Sequence, residues 1–486
     1  TVLGGDCDYS TQYWDGFSCL NRSTSYNSGY LAGEANGYAD GFDEAFSSVL
    51  LTYDLTFEGI RDDRSLESFL EGRFQSEDVP GDTVSIPRNI HRNLFAYAYE
   101  FLDRTLPLAG GDFLTSSLYT LLKLGICIEN GALIRQALEA PTGLYNVMSN
   151  SFFRDGKFWY DSISYGKGNI RGALMSAEWC HGFQDPEHFE EGLDLYSDPR
   201  FRLREMMSIS QEVDCDGRVP MIGDTSGGRN SVIQTPYSLD DEIGYLRIEE
   251  SREAYSHRIW EGTNEDPESG RAGGDEYLLF HAEPWSENVR PGEGEVKSSV
   301  LHDSGFCILR AGENSESRCH LVLNYGKGNR GHGHRDKLAL NLIAFGYDLS
   351  ADLGYPPSWI APKMAGWETH TASHFTALID GENQEYATGS LDRVVDGPWV
   401  RLIEASGERA YPNAELYKRT LALVPLDEER SYVVDLFRIG GGSTHDYSAH
   451  SLAGEEGSFF ELNLAGGIEM VRHTAGTLAG EDTSFG

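Results

Sequence analysis

Phe306-Cys307-Ile308-Leu309, His320-Leu321-Val322-Leu323 and the run from Leu338 to Phe345 decide how this chain folds. Each is a short apolar segment with β-formers and a period near two, closed off by Gly, Asn or Asp, and so reads as a strand. Phe375 to Ile379, Trp399 to Ile403, Leu421 to Val424 and Tyr432 to Phe437 repeat the pattern. Toward the N-terminus the period changes. Phe42-Ala45-Phe46-Val49-Leu50, Leu66-Phe69-Leu70-Phe74, Ile90-Leu94-Tyr97-Phe101-Leu102, Leu114-Leu118-Leu121-Leu122 and Leu133-Ile134-Leu138 recur at three-and-four spacing, which is helical. Helices first and strands after mean an α+β chain with domains in series, not an interleaved α/β fold. The reading is an irregular arm at 1–40, rich in Gly, Tyr, Ser and Asn, then a helical domain at 41–285 built from stacked antiparallel pairs. A Glu/Pro/Gly-rich linker spans 283–295, and an antiparallel β-domain occupies 295–486. The Gly/Thr-rich sequence leading to Gly486 raises the expectation that a further C-terminal piece is missing.

Composition narrows the function. The 486 residues are 40% apolar and 12% aromatic, globular values, and no uncharged apolar stretch approaches the ~20 residues of a membrane span. Lys plus Arg number 39 against 77 Asp plus Glu, a formal charge of −38 that repels nucleic acid and anionic lipid. Only eight of the basic residues are lysines, so the surface is the acidic, lysine-poor kind that stays hydrated at high salt. In strong salt the Debye length falls to about 3 Å, so the net charge does not bar an anionic ligand from a locally basic groove. Seven cysteines show no CxxC spacing, against a zinc ribbon or thioredoxin-type site. Cys7 and Cys19 could close a disulfide, whereas Cys127 and Cys180 sit in apolar helical surroundings and read as buried thiols. No signal peptide precedes Thr1, so either an export segment has been removed or the protein is intracellular.

The stretch that carries chemistry is Asn329-Arg330-Gly331-His332-Gly333-His334-Arg335-Asp336. Two histidines two apart point the same way on extended backbone, and the glycines admit close approach of a ligand. His334, Asp352 in Ala351-Asp352-Leu353-Gly354-Tyr355, and His374 in Thr371-Ala372-Ser373-His374 fall at three successive strand ends. Pairing of those strands would give an N2O1 donor set suited to zinc or a similar divalent ion. Spacing alone leaves Asp336 as a rival to Asp352 and His370 as a rival to His374, and the same histidines also fit a polar turn.

In order, Asp303-Ser304-Gly305-Phe306-Cys307-Ile308-Leu309-Arg310, Gly331 to Asp336, Asp352-Leu353-Gly354-Tyr355, and His374 ahead of Ile379-Asp380-Gly381 resemble the β-domain of heparinase II/III-like polysaccharide lyases. In the helical half, Asp155-Gly156-Lys157-Phe158-Trp159-Tyr160-Asp161-Ser162-Ile163-Ser164-Tyr165 is similar to the family segment with the catalytic tyrosine. Val219-Pro220-Met221-Ile222-Gly223-Asp224 is similar to a later Pro-x-x-Gly-Asp loop. The resemblance covers roughly residues 110 to 450. It implies an incomplete (α/α) toroid followed by an antiparallel β-sandwich, with an anionic polysaccharide bound in the cleft between them. By matched position His334, Asp352 and His374 would hold a structural metal, with zinc the expected ion. His332 would face the substrate and Tyr165 would transfer the proton. The expected location is secreted, cell-surface or periplasmic.

The chemistry stands beside the resemblance. β-Elimination at a uronic acid needs a weakly acidic C5 proton removed, which requires the adjacent carboxylate neutralised and the enolate-like charge stabilised. A phenol, with a solution pKa near 10, needs a neighbouring His or Arg to ionise, and can then take the C5 proton and return it to the leaving O4. Without the resemblance, Tyr165 also fits a buried aromatic in a Trp/Tyr-rich segment. One departure matters. The Asn or His that neutralises the carboxylate in these lyases is absent from Asp112-Phe113-Leu114-Thr115-Ser116-Ser117-Leu118. Asn89-Ile90-His91-Arg92-Asn93 is the nearest polar cluster; Arg229, Asn230, Asn169 and Arg171 are other candidates, and Arg335 is a further substrate-binding candidate. Asp161 stands where the family usually has Glu. The reading is a uronate polysaccharide lyase. Its rivals are a C5 uronate epimerase on the same scaffold and a non-catalytic glycan-binding or surface-assembly protein that keeps the metal for stability.

Overall fold

The structure, a computed structural model, describes residues 40–77, 85–106, 114–155, 162–185, 187–225, 238–263, 289, 297–313, 317–326, 332–350, 352–355 and 364–450. The arm at 1–40 save its last residue, the linker save Val289, and Cys7 and Cys19 lie outside them. The chain divides into two compact units, Thr1–Ser151 with Gly168–Leu203, and Phe152–Lys167 with Arg204–Gly486.

The helices are α1 (Asp40–Ile60), α2 (Arg64–Glu77), α3 (Ile86–Ile90), α4 (Ala96–Thr105), α5 (Leu114–Cys127), α6 (Gly131–Glu139), α7 (Leu144–Asn150), α8 (Ile163–Cys180), α9 (Leu203–Met207), α10 (Ile209–Glu212), α11 (Leu239–Arg247) and α12 (Arg252–Gly262). In the first unit most of the apolar stripes seen in the sequence are packed, but that of α2 is not: Leu66 and Leu70 are half-buried and Phe69 is 62% exposed. Leu118, Leu121 and Leu122 of α5 are buried where it packs on α1 and α6, as are Phe46, Leu50, Ile134 and Leu138. Asn130 caps α6 by accepting from the amides of Ala132 and Leu133. The run from Ile90 to Leu102 is not one helix: a π-helical turn, His91–Phe95, separates α3 from α4. No helix among the described residues is long and apolar enough to cross a membrane.

Strands follow in the second unit: β1 (Ser299–Leu301), β2 (Phe306–Ala311), β3 (Cys319–Asn324), β4 (Ala339–Ala344), β5 (Tyr347–Asp348), β6 (Ala377–Ile379), β7 (Ser390–Asp396), β8 (Arg401–Ser406), β9 (Ala414–Pro425), β10 (Ser431–Gly441) and β11 (His445–Tyr447). They form antiparallel sheets ordered β1-β2-β3-β4-β5, β10-β9-β8-β7 and β11-β6. β2 and β3 are buried at every residue, because the five-stranded sheet is covered on both faces. Cys307, Leu309, Leu321 and Leu323 pack with Ile403, Tyr417, Leu421 and Leu423 of the four-stranded sheet. The opposite face, where Arg310 pairs with His320 across the strands, meets residues 212–216. There Arg310 donates to the carbonyls of Glu212 and Asp214 (2.6 and 2.9 Å), and His320 meets Asp216 at 2.7 Å.

Two devices position the site. Arg419, wholly buried in the sandwich and paired with Asp435, donates to the carbonyls of Leu338 and Phe375 at 2.6 and 2.7 Å, pinning the loops behind His334 and His374. Asp155 accepts from the amide and hydroxyl of Ser304 at 2.7 and 2.6 Å, joining the segment before Tyr165 to the start of β2. Gly305 is required beside it: at φ +80° a Cβ would lie 2.2 Å from the Gly326 Cα.

Candidate active site and metal centre

Every residue described here belongs to the second unit, apart from Asn169, its partner Thr115 and Arg171. Tyr165 sits in the first turn of α8. Its ring stacks on His332, centroids 3.9 Å apart and planes 22° off parallel, and meets Tyr355 edge-on at 6.5 Å. Tyr165 and His332 are both partly exposed. The helix start is set by the loop 219–225: the Thr225 hydroxyl accepts from the Ile163 amide at 3.1 Å while donating to the Ile222 carbonyl.

His332 and His334 do point the same way. His332 Nδ1 lies 2.8 Å from Asp224 Oδ2 and His334 Nε2 lies 2.8 Å from Asp224 Oδ1, so one buried carboxylate holds both rings. The Asp224 amide also donates to the His332 carbonyl at 2.8 Å. Burial works against ionising Asp224, yet the hydrogen bonds and charges of His332 and His334 hold its carboxyl below the usual carboxylate range.

Beyond His334 lies the expected donor set. His334, Asp352 and His374 are all buried, and one donor atom from each falls within 4.8 Å of the others. The outer hydrogen bonds settle which atoms face inward. Ionised Asp224 can only accept, so His334 carries its proton on Nε2 and presents a lone pair at Nδ1. His374 Nδ1 donates to the His370 carbonyl at 2.7 Å, leaving the lone pair on Nε2. Asp352 Oδ1 accepts from the Gly354 amide at 2.9 Å, leaving Oδ2 turned inward. The two imidazole lone pairs face each other at 3.1 Å, and His374 Nε2 is 3.4 Å from Asp352 Oδ2. Facing lone pairs beside a carboxylate call for a cation or a proton between them, and outer partners that fix ligand tautomers are typical of metal sites. Bonds of about 2.1 Å in a tetrahedral zinc site place donors roughly 3.4 Å apart, which these distances match. Two imidazoles argue against calcium or magnesium, which prefer oxygen. The residues therefore fit a zinc-type ion.

The electrostatics agree. Burial pushes His374 down to about 4 and Asp352 up to about 7. His334 is shifted down by burial but further up by Asp224, Asp352 and Asp336, with a net rise. A proton on His334 relieves the conflict that an ion would otherwise relieve.

The rival ligand Asp336 is engaged elsewhere. Lys337 Nζ and Asn324 Nδ2 both donate to it at 2.8 Å, and Lys337 holds it at about 2 despite burial. His370 gives the cluster its carbonyl instead of its ring. Of the remaining candidates, Arg335 lies over the Tyr386 ring, 5.0 Å from its centroid. Asn169 is 1% exposed and accepts from the Thr115 hydroxyl at 2.8 Å, while Arg171 is exposed on α8. Arg229, Asn230 and Asp161 lie outside the described residues. Sequence reasoning quoted Asp224 and Thr225's loop without giving either residue a role; the Pro-x-x-Gly-Asp pattern was the available signal.

Comparison with known proteins adds a likeness over the β-sheet half. Residues 294–463 match the heparinase II/III-like, C-terminal domain. No curated protein matches the chain in sequence. Among solved structures, heparinase III is 16% identical with a TM-score of 0.55, over 91% of this chain and 64% of that one. Heparan sulfate lyase HepC from Pedobacter heparinus is 15% identical with a TM-score of 0.50, over 88% and 61%. The heparinase III-BT4657 gene product is 12% identical with a TM-score of 0.52, over 93% and 68%. The chain thus spans less than two thirds of the first two, and at these identities the likeness is one of fold: a helical region followed by antiparallel sheets. The β-sheet half of the chain, residues 294–463, is thus similar to the heparinase II/III-like, C-terminal domain, and the whole chain shares its fold with the three lyase structures.

Proposed function

We propose that this chain is a metal-stabilised polysaccharide lyase that cleaves a uronate-containing anionic glycan by β-elimination. The observation that carries the reading is the phenol of Tyr165 stacked on the imidazole of His332 at 3.9 Å, with His332 held in turn by a buried carboxylate. Tyr165 is the proton-transfer residue. With His332 beside it to favour the phenolate, it takes the C5 proton and, in a syn elimination, delivers it to the departing O4. His334, Asp352 and His374 hold the ion, zinc by donor set and spacing, and its contribution is structural: it joins three loops that otherwise oppose like lone pairs. Arg335, Arg229 and Asn230 are the cations and amides assigned to the substrate. A polymeric substrate is met outside the cytoplasm, so the reading carries a secreted, cell-surface or periplasmic location.

A second reading, a glycan-binding protein without turnover, is favoured by one observation. Thr115, Ser117 and Leu118, where the family has its carboxylate-neutralising side chain nearby, are buried, and the His91 imidazole is taken up by the Tyr53 hydroxyl at 2.6 Å. A panel of uronate polysaccharides followed for ultraviolet-absorbing unsaturated products separates the readings. The lyase gives absorbance that falls at least 10²-fold in Tyr165→Phe. A C5 epimerase gives no absorbance but exchanges C5 hydrogen with solvent. Binding without either change, equal in wild type and Tyr165→Phe, overturns the lyase.

A further inference from the structure

We propose that Asp224 is a positioning residue that transmits the state of the metal site to His332, fixing His332 as the tautomer whose Nε2 is unprotonated. The proposal rests on the reading above for the ion and for the part His332 plays, and follows from the geometry of one carboxylate. Asp224 is completely buried, and its two oxygens lie 2.8 Å from His332 Nδ1 and 2.8 Å from His334 Nε2. Its place is fixed from the backbone too: the preceding Gly223 has φ +56° and the Asp224 amide donates to the His332 carbonyl. An ionised carboxylate only accepts, so each facing nitrogen must carry a hydrogen. For His334 that leaves Nδ1 to the ion. For His332 it leaves the lone pair on Nε2. The reverse tautomer of His332 would set a nitrogen lone pair against Asp224 Oδ2 at hydrogen-bond distance, inside a buried pocket where an unmade bond is costly.

The chain of constraint runs from the ion outward. An ion on His334 Nδ1, or the proton that replaces it, leaves Nε2–H on Asp224 Oδ1 while Oδ2 orders His332, so exchange of ion for proton changes the charge and polarity that Asp224 passes to His332. A carboxamide at 224 breaks it in a definite way. It has one acceptor and one donor end, and His334, committed to the ion, keeps the acceptor; the amide NH₂ then faces His332 Nδ1, and His332 must move its proton to Nε2.

The test uses the full chain, uniformly ¹⁵N-labelled and loaded with Zn²⁺, with ring nitrogens observed by long-range ¹H–¹⁵N correlation and His332 identified by the signals lost in His332→Gln. Expected for wild type is a protonated Nδ1 and a pyridine-like Nε2 on His332, with both signals moving when zinc is chelated although His332 is no ligand. In Asp224→Asn the two nitrogens exchange character, and zinc binding weakens about 10- to 100-fold, the usual cost of losing an outer partner of a ligand histidine. A wild-type His332 that is Nε2-protonated or averaged between tautomers overturns the proposal. So does a spectrum indifferent to zinc, or an unchanged tautomer in Asp224→Asn. Should Asp224→Asn fail to fold, the wild-type spectra with and without zinc decide alone. No substrate is involved, so the absence of lyase turnover would leave this result standing, and a failed tautomer test would leave the lyase assay unaffected.

Discussion

Stripping zinc from the wild-type chain loaded with it is expected to lower the melting temperature of the second unit by about 4–7 °C. The reason is local: without an ion, His334 Nδ1 and His374 Nε2 face each other at 3.1 Å as lone pairs beside Asp352, and the fold must take up a proton or separate the loops. An ion that binds only the folded state stabilises it by RT ln(1 + [Zn]/Kd), about 2.7 kcal/mol at free zinc 100 times Kd and about 4.1 kcal/mol at 1,000 times. The second unit, about 300 residues long, shifts by roughly 1.6 °C per kcal/mol at ~2.1 cal/mol/K per residue, which gives the stated range across the two zinc levels. Calorimetry at buffered free zinc and after chelation, with metal analysis of both samples, measures it. His334→Ala should melt below the zinc-loaded wild type and at one temperature with or without chelator, because the alanine also strands the hydrogen-bonding edge of Asp224, a cost of about 1–3 kcal/mol. A wild type whose zinc is demonstrably gone yet melts unchanged would refute the reasoning, as would a chelator shift retained in His334→Ala.

Other substitutions probe the supports. Gly354→Ala should cost about 1–3 kcal/mol, because at φ +57° its Cβ would stand 2.4 Å from the Thr225 carbonyl, and it should weaken zinc binding through Asp352; denaturant unfolding and a zinc titration check both. Asp336→Asn should cost about 3–5 kcal/mol by leaving the Lys337 ammonium buried against a neutral amide, read as a lower urea midpoint. His320 carries the clearest pH dependence away from the metal. Burial depresses its pKa below the usual 6.5 despite Asp216, so the neutral ring contributes stability above pH 6.5 that is lost as pH falls through the lowered folded value. Asp216, whose own pKa is lowered, stays charged across that window. The wild-type stability between pH 8 and 5.5 should therefore fall more steeply than that of His320→Gln; parallel curves would remove His320 as the cause.

How much of this was legible beforehand varies with the physics. β2, β3 and β9 announce themselves because burial selects apolar residues along them, and β10 through its run of β-formers, although none of its residues is fully buried. β7, Ser390–Asp396, gives no such signal: it is an edge strand in which Leu391, Val394 and Val395 stand among four polar residues, exposed or half-exposed throughout. The strand expected at Trp399 starts at Arg401 instead, since Gly397-Pro398-Trp399 makes the hairpin turn and Trp399 is 83% exposed. The donor set was readable as a list with rivals, and what separates Asp352 from Asp336 is a neighbour: Lys337 claims Asp336, while the outer oxygen of Asp352 accepts from the Gly354 amide and its other oxygen faces His374. Asp224 could be quoted but not understood. A Gly-Asp turn has no chemical signature of its own, and its meaning comes from His332 and His334 arriving from more than a hundred residues away.

That arrival makes the loop 219–225 the point where the site's parts become interdependent. The Asp224 amide and carboxylate bind the histidine strand, the Thr225 hydroxyl binds the start of α8, and the Thr225 carbonyl accepts from Tyr355, next to the Asp352 loop. Disturbing any one contact moves the others, so substitutions at His334, Asp224 and Gly354 should be strongly non-additive. It follows that turnover lost on chelation is not by itself a sign that the ion touches substrate. Under the proposals above, an ion behind Asp224 would reach the chemistry through the orientation of His332 and, by the stacked ring, of Tyr165. A structural metal would then matter to rate as a catalytic one does, and the ring nitrogens of His332, read without substrate, are where its loss would show independently of turnover.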